Sequence, residues 1–383
     1  MTVALPLAAS PAGRNVWWAG LQIVALVLVL WLLPGGEIEG GSAPLLIGPE
    51  AYLTAGAGLF ALGLATVAPT GSRAAGLLFS VASILLGLVL LLAIRQGLTF
   101  DGPAVASWLL LAAVCFYLWR GMSALSLAGG RLAGIVVPLL FGAILVYLWE
   151  VLTLGFEVPR ILMPAPSAIA EVFGSNLYTL WIDFRQTFLK SVIPGYLIGC
   201  TVGFLTAVAI DRSPFLQRGL LPIGSMISAM PIVGIAPIMV MWFGFDWQSK
   251  AAVVVVMTFF PMLVNTLAGL QSTGAMERDL MRSYAASYPQ TLMKLRLPGA
   301  MPFVFNALKL NSTLALIGAI VAEFFGTPIQ GMGFRISSEV ARLNVDMVWA
   351  TIAVAALAGS LSYGALVVLE RSMTFWHPSY RKQ

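Results

Sequence analysis

Apolar runs, each close to the length that crosses a bilayer, follow one another along almost the whole chain. A helix needs roughly 20 apolar residues to cross about 30 Å of hydrocarbon. Ten such spans are expected: 16–33, 51–69, 75–94, 104–119, 132–152, 188–210, 221–243, 249–269, 305–325 and 347–369. The fourth is short and closes at Arg120. The runs are continuous rather than alternating, so helices are expected and a barrel is not. Composition agrees: the chain is 59% hydrophobic and only 10% charged, with mean hydropathy +0.93, whereas soluble domains carry about 25% charge. The expected class is an all-α polytopic membrane protein.

Lysine and arginine bias in short loops sets orientation. With the N-terminus inside, the cytoplasmic segments collect Arg14, Arg73, Arg120, Arg131, Arg212, Arg218, Arg278, Arg282, Lys294, Arg296, Arg371, Arg381 and Lys382. The other side holds Arg95, Arg160, Arg185, Lys250, Arg335 and Arg342, with Lys190 and Lys309 set aside as helix-end residues. Both termini are therefore expected in the cytoplasm. The net charge of +5 is a topology signal, and no basic domain supports nucleic-acid binding. Only Arg14 precedes the first run and no small-x-small site closes it before Pro34, so it reads as a retained anchor. Cys115 and Cys200 each fall inside a span, which argues for buried small hydrophobes and against a disulfide framework.

Several chemistries lack their parts. The sequence has no GxxxxGK[ST] loop, no HExxH and no CxxC, and its single histidine is His377. No catalytic residue, metal site or cofactor is expected in this chain. Intramembrane carboxylates are costly and tend to be functional. Glu150 and Glu323 qualify, and both stand near the outer ends of their spans, either as helix-end groups or as polar residues of a path. So sparse a pair does not support an internal proton relay.

The chain divides near Arg131 into a four-span extension (1–130), a six-span part (131–371) and a tail (372–383). In the second part, Ser167 is expected to cap a short helix reading AIAEVFGSNL. Pro231 and Pro237 interrupt the seventh span, and a bilayer tolerates loose backbone only where protein or a cavity covers it. The break marks either a translocation path, with Met230, Pro231, Ile232, Ile235 and Pro237 at a gate, or a structural kink. The loop at 270–304 reads as two short helices split at Pro289, with Glu277 and Asp279 early and Lys294 and Arg296 late, as the helix dipole prefers. Leu280 and Tyr284 share a face of the first. The pair is either a docking knob for a soluble protein or a hairpin lying on headgroups.

This loop resembles the coupling loop of binding-protein-dependent ABC importer permeases, whose pattern is EAA, three residues, G, nine residues, I, one residue, L, P. Counting back from Pro298, Asp279 stands for the Glu, Leu280 and Met281 for the two Ala, Ala285 for the Gly and Leu295 for the Ile; Leu297 and Pro298 match. LMPAPSAIAEVF (162–173), MPIVGIAPIMVMWFGF (230–245), FFPMLVNTLAGL (259–270), AEFFG (322–326) and GMGF (331–334) are similar to the nitrate, sulfonate, taurine and bicarbonate branch, which includes permeases for thiamine-precursor pyrimidines. The likeness covers about 130–371.

The resemblance implies a six-helix type I ABC importer permease core with four additional N-terminal transmembrane helices, in a bacterial plasma (inner) membrane. It implies a homodimer, two cytoplasmic ATPase subunits carrying the ATP and Mg, and a periplasmic or lipid-anchored substrate-binding protein. ATPase coupling would then fall to Asp279, Leu280, Tyr284, Ala285, Leu295, Leu297 and Pro298, with Ala285 at the turn and Pro298 ending the second short helix. The substrate would be a small anion or a small heterocycle. The alternative classes are a secondary transporter and a membrane scaffold without an ATPase partner.

Overall fold

The computed structural model describes residues 37–38, 41–42, 49–67, 72–98, 100, 105–228, 230–326 and 329–375. The expected first span at 16–33, together with Arg14, His377, Arg381 and Lys382, lies outside the described residues. Seven described helices are long and apolar enough to cross a membrane, and the chain is a multi-pass α-helical membrane protein. It forms two compact units, Met1–Ala168 and Ile169–Gln383.

The first unit holds a two-residue antiparallel pairing, Glu37–Ile38 with Gly41–Ser42, and helices α1 (Pro49–Val67), α2 (Arg73–Arg95), α3 (Val105–Ala128) and α4 (Arg131–Gly155). Its core joins Leu62, Leu86, Leu90, Leu110, Val114 and Val151. Small and hydroxyl residues let α2 and α3 approach closely, as membrane helices commonly do. The Ser83 hydroxyl donates to the Val114 carbonyl at 2.6 Å, and the Tyr147 hydroxyl of α4 donates to the Gly87 carbonyl of α2 at 2.9 Å. Helix α3 runs on past Arg120 to Ala128 rather than ending there, because nothing breaks it before Gly129 and Gly130. The Arg120 guanidinium lies over the Phe79 ring at 5.5 Å, a cation–π contact that keeps the charge partnered. Ser167 does not cap its helix, which starts at Pro166. Instead the Glu150 carboxylate accepts from the Ser167 amide at 2.9 Å.

The second unit is built around α10 (Trp247–Gln271), with α7 (Ile193–Asp211) and α13 (Leu297–Glu323) packed on it. Gly195, Gly199 and Gly203 recur every four residues along α7, and a Cβ at these positions would strike Ala251 O, Thr258 Oγ1 and Phe259 O of α10. Glycine at each position lets the two helices come this close. Before α7 come α5 (Pro166–Ser175, which straddles the boundary between the units), α6 (Leu177–Phe184) and a π-wound segment, π1 (Arg185–Val192). The expected seventh span is two helices, α8 (Pro214–Ser228) and α9 (Ile232–Phe243). The chain then continues through α11 (Ala275–Ser283), α12 (Tyr288–Thr291), a second π segment π2 (Leu292–Arg296), α13, α14 (Met332–Ala341) and α15 (Val345–Met373).

Both π segments precede a proline, Pro194 and Pro298. Ile193 donates to Phe188 O and Leu297 to Leu292 O, each five residues back. A widened turn lets the helix pass a residue that cannot donate. Pro298 therefore does not end a short helix, contrary to expectation. Residues Leu177–Asp211 and Tyr288–Glu323 are continuous helical runs of 35 and 36 residues.

Candidate functional site

The loop between α10 and α13 is shaped by its ends. Glu277 accepts from the Gly274 amide at 3.0 Å and starts α11. The helix stops in a Schellman turn: Ala286 N–H donates to Met281 O at 3.0 Å and Ala285 N–H to Arg282 O at 2.8 Å. Ala285 has φ +50°, the left-handed conformation that glycine adopts without strain. The expected split at Pro289 is thus a turn at 284–287. Pro289 lies in the first turn of α12, where a missing N–H is harmless. Gln290 Oε1 accepts from the Ser287 amide at 2.8 Å.

Met276, Leu280 and Tyr284 follow at a spacing of four on α11 and are 85%, 57% and 77% exposed. Among the described residues nothing covers this stripe. Asp279 is exposed and pairs with Arg282 at 3.6 Å. Leu295, Leu297 and Pro298 are half-buried, so they belong to the root of the loop rather than its tip.

A buried clamp holds that root. The Arg296 guanidinium donates twice to Asp211, at 2.6 and 2.8 Å, and its Nε donates to the Leu270 carbonyl at 2.9 Å. The Tyr288 hydroxyl also donates to Asp211 at 2.9 Å, and the Arg212 guanidinium lies 5.3 Å over the Tyr288 ring. The Asp211 side chain is 1% exposed. A bidentate, charge-assisted pair fixes orientation as well as distance, so the stripe is carried on a rigid base. Sequence reasoning missed Asp211; its signal was a carboxylate closing an apolar span.

The proline-marked break lies at Pro231, which caps α9 and is exposed, as is Met230. Ile232 is half-buried against a cluster of Ala236, Val253 and Ala322, and Ile235 is half-buried. Pro237 does not break the helix. It sits inside α9, where it can offer no donor to Val233 O.

At the opposite end of α13, Glu323 is 2% exposed. It accepts from the Thr187 hydroxyl, at 2.7 and 2.9 Å to its two oxygens, and from Gly333 N–H at 2.7 Å. Thr187 Oγ1 in turn accepts from Met332 N–H at 2.7 Å, and Asp183 accepts from Gly331 N–H and Arg335 Nε, both at 2.8 Å. Burial works against the Arg335 charge, but its hydrogen bonds and ion pairs with Asp183 and Glu339 outweigh it and raise its pKa. Lys250, assigned by charge pattern to an outer loop, is buried in the first turn of α10 with Nζ on the Phe245 and Asp246 carbonyls at 2.5 and 3.1 Å. Glu150 is held by the Ser167 amide and lies 3.7 Å from Arg95. Among the described residues no cluster of His, Cys, Asp or Glu could hold a metal ion.

The model of the family described as "Binding-protein-dependent transport system inner membrane component" matches residues 199–375, which include the α11 loop, Glu323 and α14. A protein named as an ABC transporter permease in Haemophilus influenzae is 32% identical over 216 residues, covering 56% of this chain and 87% of the relative. The chain belongs to this family. The formylaminopyrimidine transport permease ThiX of Halalkalibacterium halodurans is 29% identical over 239 residues (62% of this chain, 95% of the relative). The taurine transport permease TauC of Escherichia coli is 29% identical over 238 residues (60% and 85%). As an ABC-importer permease the chain is a transport subunit rather than an enzyme. The relatives are matched over nearly their whole length, while more than a third of this chain is left over.

Proposed function

We propose that two copies of this chain form the translocation path of an ATP-driven importer in a bacterial inner membrane, with residues 131–371 as a six-span core and 1–130 as a four-span extension. The α11 loop faces the cytoplasm, as do both termini, and α14 faces outward. Two ATPase subunits carrying ATP and Mg grip the α11 loops, and a periplasmic or lipid-anchored binding protein delivers a small anion or small heterocycle. The names of ThiX and TauC support that substrate range.

One observation carries the reading: the Met276, Leu280 and Tyr284 stripe is exposed on a helix whose root is clamped by buried charge. An apolar patch on a rigid base is what helix-in-groove docking requires. Asp279 lies beside Leu280 within it and Ala285 follows it at the turn, while Leu295, Leu297 and Pro298 join it to the membrane helix. Met230, Pro231, Ile232, Ile235 and Pro237 serve the path, where α9 leaves apolar side chains for a gate. Leu280→Asp would place a charge in the docked groove. The membrane should contain the variant at normal levels, but its ATPase should no longer co-purify; full recovery of the ATPase would reject the reading.

A further inference from the structure

The run Tyr288–Glu323 is one rod of 36 residues, about 50 Å long at helical rise. Both of its ends are tied to the same neighbour, the run Leu177–Asp211. At the docking-loop end the tie is Arg296 to Asp211, and at the far end it is Glu323 to Thr187. Between them Asn311 donates to Thr258 O on α10 at 2.7 Å and lies 3.3 Å from Cys200 Sγ on α7.

The far tie extends to a further element. Three successive amides, Gly331, Met332 and Gly333, are taken by three side chains from two membrane runs: Asp183, Thr187 and Glu323 respectively. These are the donors that a helix start leaves without partners, here those of α14. All three acceptors are buried. Moving α14 against the rod would leave the Gly331, Met332 and Gly333 amides without these acceptors and take Asp183 off both of its donors, Gly331 N–H and Arg335 Nε, which is strongly unfavourable for buried groups. Thr187 is placed by a π-wound turn, and such turns gather at functional sites.

We infer that Asp183, Thr187 and Glu323 are positioning residues that make α14 move as one piece with the rod, so that an event at α14 is felt at the α11 loop and the reverse. Coupling between two sites is reciprocal by thermodynamic necessity. The inference rests on the importer reading, in which α14 lies on the side that meets the loaded binding protein.

The test uses the whole complex of permease, ATPase and binding protein in liposomes with Mg-ATP, and reads hydrolysis with the loaded binding protein relative to hydrolysis without it. Thr187→Val keeps the shape and removes the hydroxyl. It should still assemble, but its stimulation should fall about tenfold, within the usual range of coupling factors, and Thr187→Ser should restore it. Arg335→Gln, at the partly exposed edge of the lock, should lower stimulation in the same direction even if Thr187→Val does not fold. Hydrogen exchange at 331–333 should rise in both variants. Normal stimulation in Thr187→Val, or equal loss in the Val and Ser variants, would overturn the inference, as would normal stimulation in Arg335→Gln. An unstimulated wild-type complex would instead count against the importer reading.

Discussion

Replacing Asp211 by Ala removes the centre of the clamp under the α11 loop. Arg296 loses two charge-assisted bonds and Tyr288 loses one. Bonds to a charged group contribute about 1.5–3 kcal/mol each, but Arg296 keeps its bond to Leu270 O and its side chain is 13% exposed, so water recovers part of the loss. A net cost of about 3 kcal/mol follows, at the lower edge of what breaking a buried pair usually costs. That is about a hundredfold in the opening equilibrium of the loop root. Hydrogen exchange read at the amides of 288–297 in the purified permease should speed up by that factor. Protection at 311–323 should hold, because Asn311 and Glu323 keep their partners. Unchanged exchange at 288–297 would refute the view that this pair holds the loop.

Ala285→Gly should stabilise the Schellman turn by about 1 kcal/mol, since the left-handed conformation at φ +50° strains any residue with a Cβ; a thermal unfolding scan that moves downward would contradict this. Deleting 1–125 strips Leu62, Leu86, Leu90 and Leu110 from the cluster that buries Val151 of α4, so the truncated chain should express poorly or aggregate, and a stable truncation with altered substrate choice would be the opposite result. Single cysteines at Gln290 and Gln330 should react with impermeant label from inside only and from outside only, respectively; the reverse pattern would invert the orientation.

The seven long helices among the described residues were legible because apolar length is a local property, whereas the expected span at 221–243 is two helices. Span edges failed where hydropathy was not what ends a helix: α3 carries Arg120 over Phe79 and runs on to Gly129 and Gly130, and Pro298 stays in a helix because the chain widens by one residue per turn before it. The exposed stripe on α11 was legible in part, since Leu280 and Tyr284 follow from helical periodicity. Met276, one turn before Leu280 on the same face, joins them in the structure. The clamps were not legible. Asp211 and Arg296 stand 85 positions apart and Thr187 and Glu323 stand 136 apart, and nothing in a single sequence says which buried charges meet. Ala285 shows the converse. A departure from the family's glycine marks the one turn position in the loop with positive φ, so a mismatch located the strain.

The pair Lys309–Glu370 bears on how an anion could be handled. Set aside from the sequence as a helix-end residue, Lys309 lies within α13 and pairs with Glu370 of α15 at 2.8 Å, with side chains 17% and 8% exposed. A lysine already neutralised in this way offers little to a passing anion, so selection among anions would rest mainly with the binding protein. Replacement separates the two roles. If the pair is structural, Lys309→Met strands a buried carboxylate and Glu370→Met strands a buried ammonium, each costing about 3–5 kcal/mol, whereas the double Met variant removes both charges and comes close to wild-type stability. Uptake should follow stability, falling in each single variant and returning in the double. If Lys309 instead binds substrate, the double variant recovers its stability but stays inactive, and that result would place an anion site inside the membrane path.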